Sequence, residues 1–480
     1  MANFEKFKEH AMRILSIPSH AESGNEELVR YYQTVLHDFG FKTLLQQVNH
    51  SHERLSKRQF NLIGFSSDNL VDRSTRRGSL FINPIDVTTG NLPHLWTATQ
   101  GNPQAPVSNE KGIVGSGAVQ GKLDYLCRIY GAVPLLDHRH KNPVYLVGAC
   151  ASHYGMMGSR FLIESLSVNP KEVYTFAPTQ MVQCKQGPGQ VSYTIDIDSS
   201  ARDRDTRGYN RSVEITAFGV SIDFATPQLA INAFELLMDI LIDATANGFD
   251  FQWSNLETKG AEGTNPDIAK AQIFLTAFQF EDFKQFIRTK LNHEDKQRFF
   301  RIDYTGVSEV GTRFIPPELM ELVLELDFEW KNFLQELNLK ANSNFDPPES
   351  IGTLTRINSK NIGKISITFE MRFLPHHSPA EIDERWKAKL KKIGDQYKTF
   401  HFSILRDYVV QGLLVDQAQT AKNANYLSDA GWFVKSKFPV SILGAGSVSE
   451  LPKGPNEAIL WSELETAIQK YEELMSACSH

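Results

Sequence analysis

The chain changes texture twice, and no single regular sheet can absorb that. Up to about residue 187, short apolar runs alternate with helical patterns; from about 188 the runs alternate polar and apolar; near 400 the first texture returns. A strand covered on both faces reads as a continuous apolar run, whereas a half-buried antiparallel strand alternates with period two. The pattern therefore predicts an α/β domain over 1–187 and 400–480, a mixed sheet with helices on both faces. An inserted α+β domain over 188–399 interrupts it.

Within the first part, two amphipathic helices separated by Ile17-Pro18-Ser19 open the chain. The second starts at Ser23-Gly24-Asn25-Glu26, a capping-box spacing, and stops before Gly40. Phe60–Phe65, Ser79–Ile82, Val144–Gly148 and Val173–Phe176 read as strands, with a helix from Ser159 to Leu166. In the insert, Val191–Ile197 and Ser212–Phe218 alternate, and a helix runs from Thr226 to Asn247. Asn265-Pro-Asp-Ile-Ala-Lys-Ala-Gln-Ile-Phe-Leu-Thr-Ala-Phe is similar to Asn361-Ile-Gly-Lys-Ile-Ser-Ile-Thr-Phe-Glu-Met-Arg-Phe. Helices at Glu281–Leu291 and Ala380–Lys392 trail the two phrases, so the insert reads as two related halves. Val440–Leu443 as a strand and Ser462–Met475 as a helix close the chain.

Composition excludes some function classes. Lys+Arg is 50 against 56 for Asp+Glu, a net charge of −6. A nucleic-acid partner would call for a basic excess gathered on one face. The dense basic stretches Arg73–Arg77 and Lys387–Lys392 read as a loop and a solvated helix face. Cysteines at 127, 150, 184 and 478 form no CxxC pair and no disulfide framework, which points to a reducing, cytoplasmic setting. The charged N-terminus has no signal-peptide core, and no apolar run approaches the roughly 20 residues that span a bilayer. A soluble protein with no membrane partner is expected.

Several stretches, in order along nearly the whole chain, resemble the co-catalytic zinc aminoacylases, deacetylases and dipeptidases. That superfamily includes acetylornithine deacetylase and aminoacyl-histidine dipeptidase. Ala225-Thr-Pro-Gln-Leu-Ala-Ile-Asn-Ala is similar to the start of the family's lid helix. Ser428-Asp-Ala-Gly, Gly444-Ala-Gly-Ser and Pro455-Asn-Glu are similar to its final βα unit. The resemblance implies a zinc-peptidase α/β domain split by a lid, and the long two-part lid looks closest to the aminoacyl-histidine dipeptidases.

The family's chemistry needs two zinc ions and a glutamate base that deprotonates their shared water. The resemblance places these parts on residues that cannot supply them. Its first His-x-Asp falls on Pro84-Ile85-Asp86, which keeps only the acid. The bridging aspartate falls on Gln120, within Gly115–Lys122. The paired glutamates fall on Ser152, at the base position, and His153, at a ligand position. The next carboxylate falls on Ala177 and the last histidine on Lys453. No metal and no cofactor is expected.

The lid window Gly219–Phe224 also lacks the family's histidine. Asn265 and Arg372 match lid positions that hold the substrate's carboxylate, and a guanidinium fork suits such a group. The plainer reading of Arg372 is a strand end paired with a lid acid. His94, His138 and His140 fit a polar surface better than a substitute metal site, and His376-His377 fits an exposed lid loop.

The leading expectation is a pseudoenzyme that binds a small molecule or peptide carrying a carboxylate. Arg372, Asn265, Lys453, Asp86, Gln120, Ser152 and His153 would line its site. Lys453 should reach into the vacated metal volume beside Asp86, Gln120 or Ser152, because a buried carboxylate without a cation is costly. Two alternatives stand beside it. One is metal-independent acyl transfer by Cys150, His153 and Asp86, opposed by the reading of Cys150 as a small buried residue. The other is a divergent metal-dependent dipeptidase or amidohydrolase. The resemblance adds a homodimer through the lid.

Overall fold

The apolar runs of the first texture form the centre of a six-stranded mixed sheet. Across the sheet its strands are Lys42–Gln47, Phe60–Phe65, Val144–Ala149, Gly78–Pro84, Pro170–Thr175 and Val440–Ile442. The first two run antiparallel to their neighbours and the last four are mutually parallel. Every residue of Val144–Ala149 and Gly78–Pro84 is buried, as strands covered on both faces must be. Leu62, Phe81 and Leu146 pack into the core of helices Ala2–Ser16, Glu26–Phe39, Lys122–Ala132 and Trp461–Ser479. Ile63, Leu80, Ile82 and Val147 face the opposite core, with Leu162 of helix Met157–Glu164. The computed structural model describes residues 2–20, 22–52, 55–65, 77–88, 92–137, 142–165, 168–199, 208–261, 263–305, 314–359, 364–414, 422–434, 438–450 and 452–479.

The alternating strands form a separate eight-stranded sheet. Its order is Phe300–Tyr304, Tyr209–Phe218, Ile268–Thr276, Gln252–Lys259, Ile351–Asn358, Lys364–Phe373, Gly189–Ser199 and Phe400–Val410. This order resolves into two β-α-β-β-α-β units of the ferredoxin-like kind. The first unit uses helices Ala233–Ala246 and Ala277–Lys290, and the second uses Pro317–Asn338 and Pro379–Gln396. The first unit is spliced between the first strand and first helix of the second. They join edge to edge, with Glu257 opposite Asn358. The repeated phrase marks the third strand of each unit, although residues 360–363 lie outside the described residues.

Several details differ from the sequence reading. The inserted domain runs on to about 410 rather than 399, because Phe400–Val410 is hydrogen-bonded along Gly189–Ser199. The lid helix starts at Ala233, where Asn232 accepts from the amides of Phe234 and Glu235, and not at Thr226, which precedes a separate 3-10 turn. Asn25 occupies the N-cap of the second helix without capping it; its amide instead pairs with the backbone of Phe60 at 2.8 and 2.9 Å. Among the described residues no helix is long and apolar enough to cross a membrane.

Candidate functional site

Parallel strands direct the loops at their carboxyl ends into a common crevice. Asp86 follows Gly78–Pro84, Ser152 and His153 follow Val144–Ala149, and Lys453 lies in the loop after Val440–Ile442. The lid contributes Asp223, Asn265 and Arg372.

Asp86 is fully buried, and Ser152 closes on it. The Ser152 amide donates to Oδ1 and Oδ2 at 3.2 and 3.0 Å, and its hydroxyl donates to Oδ1 at 2.7 Å. Burial pushes the Asp86 carboxyl up to about 7, against these bonds, which favour the anion. Gln120 does not face Asp86 with a free amide. Its Nε2 donates to Glu457 at 2.7 Å and its Oε1 accepts from the Thr88 amide at 3.3 Å. Glu457 also accepts from the amides of Gly117, at 3.1 Å, and Val119, and burial raises its carboxyl to about 7. Lys122 donates to the Ile17 carbonyl at 2.8 Å; burial lowers its ammonium to about 7, while Glu457 and Asp86 act to raise it.

Lys453 is 5% exposed and adopts φ 66°, a left-handed turn conformation beside Gly454. Its ammonium lies 2.8 Å from Asp223 Oδ2 of the lid. Asp223 lies outside the trio named by the sequence reading, because the lid delivers a carboxylate of its own to the ammonium. The ring of Tyr426 lies 5.7 Å from the ammonium. His153 is buried, and its Nε2 has no partner among the described residues. Its pKa falls well below the ordinary value through burial, then through the positive charges of Lys453 and His20.

Arg372 ends the strand Lys364–Phe373. Nε donates to the Asn425 carbonyl at 3.2 Å and Nη1 to the Glu349 carbonyl at 3.1 Å, while Nη2 is buried without a partner among the described residues. Burial lowers the guanidinium to about 10, and the charges of Asp223 and Asp346 act against that fall. Asn265 is built into the lid. Nδ2 donates to the carbonyls of Val220 and Ile231 at 3.0 and 2.8 Å, and Oδ1 accepts from the Ile222 amide at 3.2 Å. Its amide therefore braces lid backbone rather than offering free donors to a ligand.

Cys150 packs with Val48, Leu55, Ala151 and Tyr154. Burial first, and then the charge of Asp86, push its thiol well above the ordinary value, the reverse of an activated nucleophile. His94 is exposed, and His138 and His140 lie outside the described residues. His377 is 5% exposed rather than open to solvent, its amide turned back onto the Leu374 carbonyl at 3.0 Å, while His376 beside it is exposed. In the basic helix face, Lys389 pairs with Glu329 at 3.1 Å and Glu336 at 2.8 Å.

Zinc needs about four N, O or S donors converging at close range. Here Asp86 is engaged by Ser152, Gln120 is turned to Glu457, and a lysine ammonium stands where a ligand would have to be neutral. Among the described residues the sequence reading assigned to this centre, the His153 nitrogen is left as the lone candidate donor. This donor set does not fit a zinc pair. Among the described residues, no three His, Cys, Asp or Glu side chains group as a metal site.

The two-domain architecture and the crevice between its sheets define a peptidase-like fold with a lid. Comparison agrees: human carnosine dipeptidase 1 aligns over 100% of this chain and 97% of its own, with TM-score 0.56 at 10% identity. The di-peptidase Dug1p of Saccharomyces cerevisiae aligns over 99% and 97%, with TM-score 0.54 at 10% identity. The M20 family metallo-carboxypeptidase Sso-CP2 of Sulfolobus solfataricus aligns over 97% of each chain, with TM-score 0.52 at 14% identity. The chain thus has the fold of the M20 family peptidases. Among curated proteins, acetylornithine deacetylase of Buchnera aphidicola subsp. Schizaphis graminum (strain Sg) is 24% identical over 204 residues. That match covers 41% of this chain and 48% of the relative, about half of its length. No family model matches the chain.

Two positions of the candidate site escape the sequence reading. Glu457 lies inside the quoted phrase Pro455-Asn-Glu, so its signal is present in the chain. Asp223 has no local signal: it stands in a window noted only for lacking histidine, and its importance comes from a partner far away in sequence.

Proposed function

We propose that this chain is a metallopeptidase-fold protein working without a di-zinc centre, as a non-hydrolytic binder of a small peptide or acyl-amino-acid-like ligand with a carboxylate. The observation that carries this reading is Ser152 seated on Asp86 by three hydrogen bonds. The one acid kept from the implied centre is thereby taken up by the residue that replaces its base. The unpartnered Nη2 of Arg372 supports the ligand class, since an unsatisfied buried guanidinium nitrogen favours an incoming anion.

The test is calorimetric titration with N-acetylglycine and with glycylglycine, followed by product analysis. The expected outcome is binding without hydrolysis. Arg372→Ala should weaken it by about 1.5–3 kcal/mol, the range for a hydrogen bond to a charged group. Unchanged affinity in that variant, or turnover of either compound, contradicts the proposal.

A further inference from the structure

We infer that Asp223 is a built-in occupant of the ligand's carboxylate position: the lid closes by setting its own carboxylate on Lys453, and an incoming carboxylate must displace it. Lys453 belongs to the α/β domain and Asp223 to the lid, yet Nζ and Oδ2 lie 2.8 Å apart with side chains only 4% and 6% exposed. Such a pair is shielded from salt and water, unlike a surface ion pair.

Both ends are braced for the contact. Asp223 Oδ1 accepts from the Ala225 amide at 2.9 Å, and its backbone bridges to Thr264. On the other side, a Cβ at Gly263 would stand 3.0 Å from the ammonium and 3.1 Å from Gln190 Nε2. The absent side chain therefore lets lid backbone close over Lys453. Arg372, also buried, has a spare Nη2 and acts electrostatically on Asp223. A carboxylate held by an ammonium, with a guanidinium in reach, is the arrangement that would recognise a free carboxylate.

The consequence is an exchange of like for like. Ligand and Asp223 compete for one cation, so an incoming carboxylate takes the place of Asp223 in the ion pair, and in a chain without that carboxylate it fills the place directly. Only the identity of the incoming anion rests on the function proposed above.

The experiment is hydrogen exchange on the full chain, using acetate as the carboxylate probe and acetamide as its uncharged control. Asp223→Ala should raise exchange at least about fivefold in 263–265 of the lid and in 423–426 of the α/β domain, reporting local opening on both sides of the crevice. Saturating acetate should restore protection in that variant, and acetamide should not. Lys453→Met should show the same opening with no rescue. Asp223→Asn, nearly isosteric, guards against a folding defect and should open the same segments. Wild-type exchange in both Asp223 variants, or equal protection of Lys453→Met and Asp223→Ala by acetate, would overturn the inference. Acetate rescue together with failure of N-acetylglycine to bind the wild type would uphold the latch and sink the proposed function instead.

Discussion

Asp86 and Glu457 are buried carboxyls whose ionisation is governed by their surroundings more than by any partner. Each is raised to about 7 by burial. Below its unfolded value each is protonated in both states. Between that value and about 7 the folded chain keeps the proton that the unfolded chain has lost, so stability falls as pH rises. Lys122, lowered to about 7, acts in the opposite sense and only above that pH, where the unfolded chain holds the extra proton. The wild-type urea midpoint should therefore fall between pH 5 and 7 relative to that of Asp86→Asn, which lacks this contribution, while buried histidines such as His153 act in the opposite sense in both proteins. An Asp86→Asn variant with the full wild-type slope would refute the assignment. The residue types at this centre were readable from the order of short phrases along the chain. Their pairings were not, because Lys453–Asp223 and Gln120–Glu457 join residues hundreds of positions apart.

At the scale of elements, one buried network ties the helix Lys122–Ala132 to the sheet. Arg128 Nε pairs with Asp124 at 3.0 Å, Nη1 donates to the carbonyls of Ile82 and Tyr174, and Nη2 donates to that of Leu443. Asp124 accepts from Asn83 and Tyr471 as well. Arg128→Ala should cost about 3–5 kcal/mol in chemical denaturation, because it leaves Asp124 as an uncompensated buried charge. A loss below about 1 kcal/mol, the scale of a surface pair, would mean that water reaches the site. In the lid, Asn265→Ala strands the Ile222 amide and removes a second donor from the carbonyls of Val220 and Ile231, which keep their mutual backbone bonds, so it should cost about 1–3 kcal/mol, read from the same curves. If it abolished acetate rescue while leaving stability intact, Asn265 would be a ligand residue after all. The helix Lys122–Ala132 is hard to see in the sequence because all its residues are buried, so no polar face sets a period. Helix Pro317–Asn338 has such a period, burying Leu319, Leu322, Val323, Leu326, Trp330 and Phe333, and a reading anchored on the repeated strand phrase passes over it.

For the whole molecule, the two changes of texture were enough to separate the α/β domain from its insert, since burial on one face or two writes itself into strand composition. The repeat was enough to see two halves. The splice between them is a matter of topology, and no local pattern encodes it. The proposal of a fold working without a zinc pair rests on donors turned to other uses: Asp86 to Ser152, Gln120 to Glu457, and a lysine to the lid. The most direct measurement is elemental analysis of the purified full chain after incubation with excess zinc and exhaustive dialysis. The account predicts zinc well below one equivalent per chain, with ligand binding indifferent to a chelator. Stoichiometric zinc that a chelator removes, together with a hydrolytic activity lost at the same step, would contradict it.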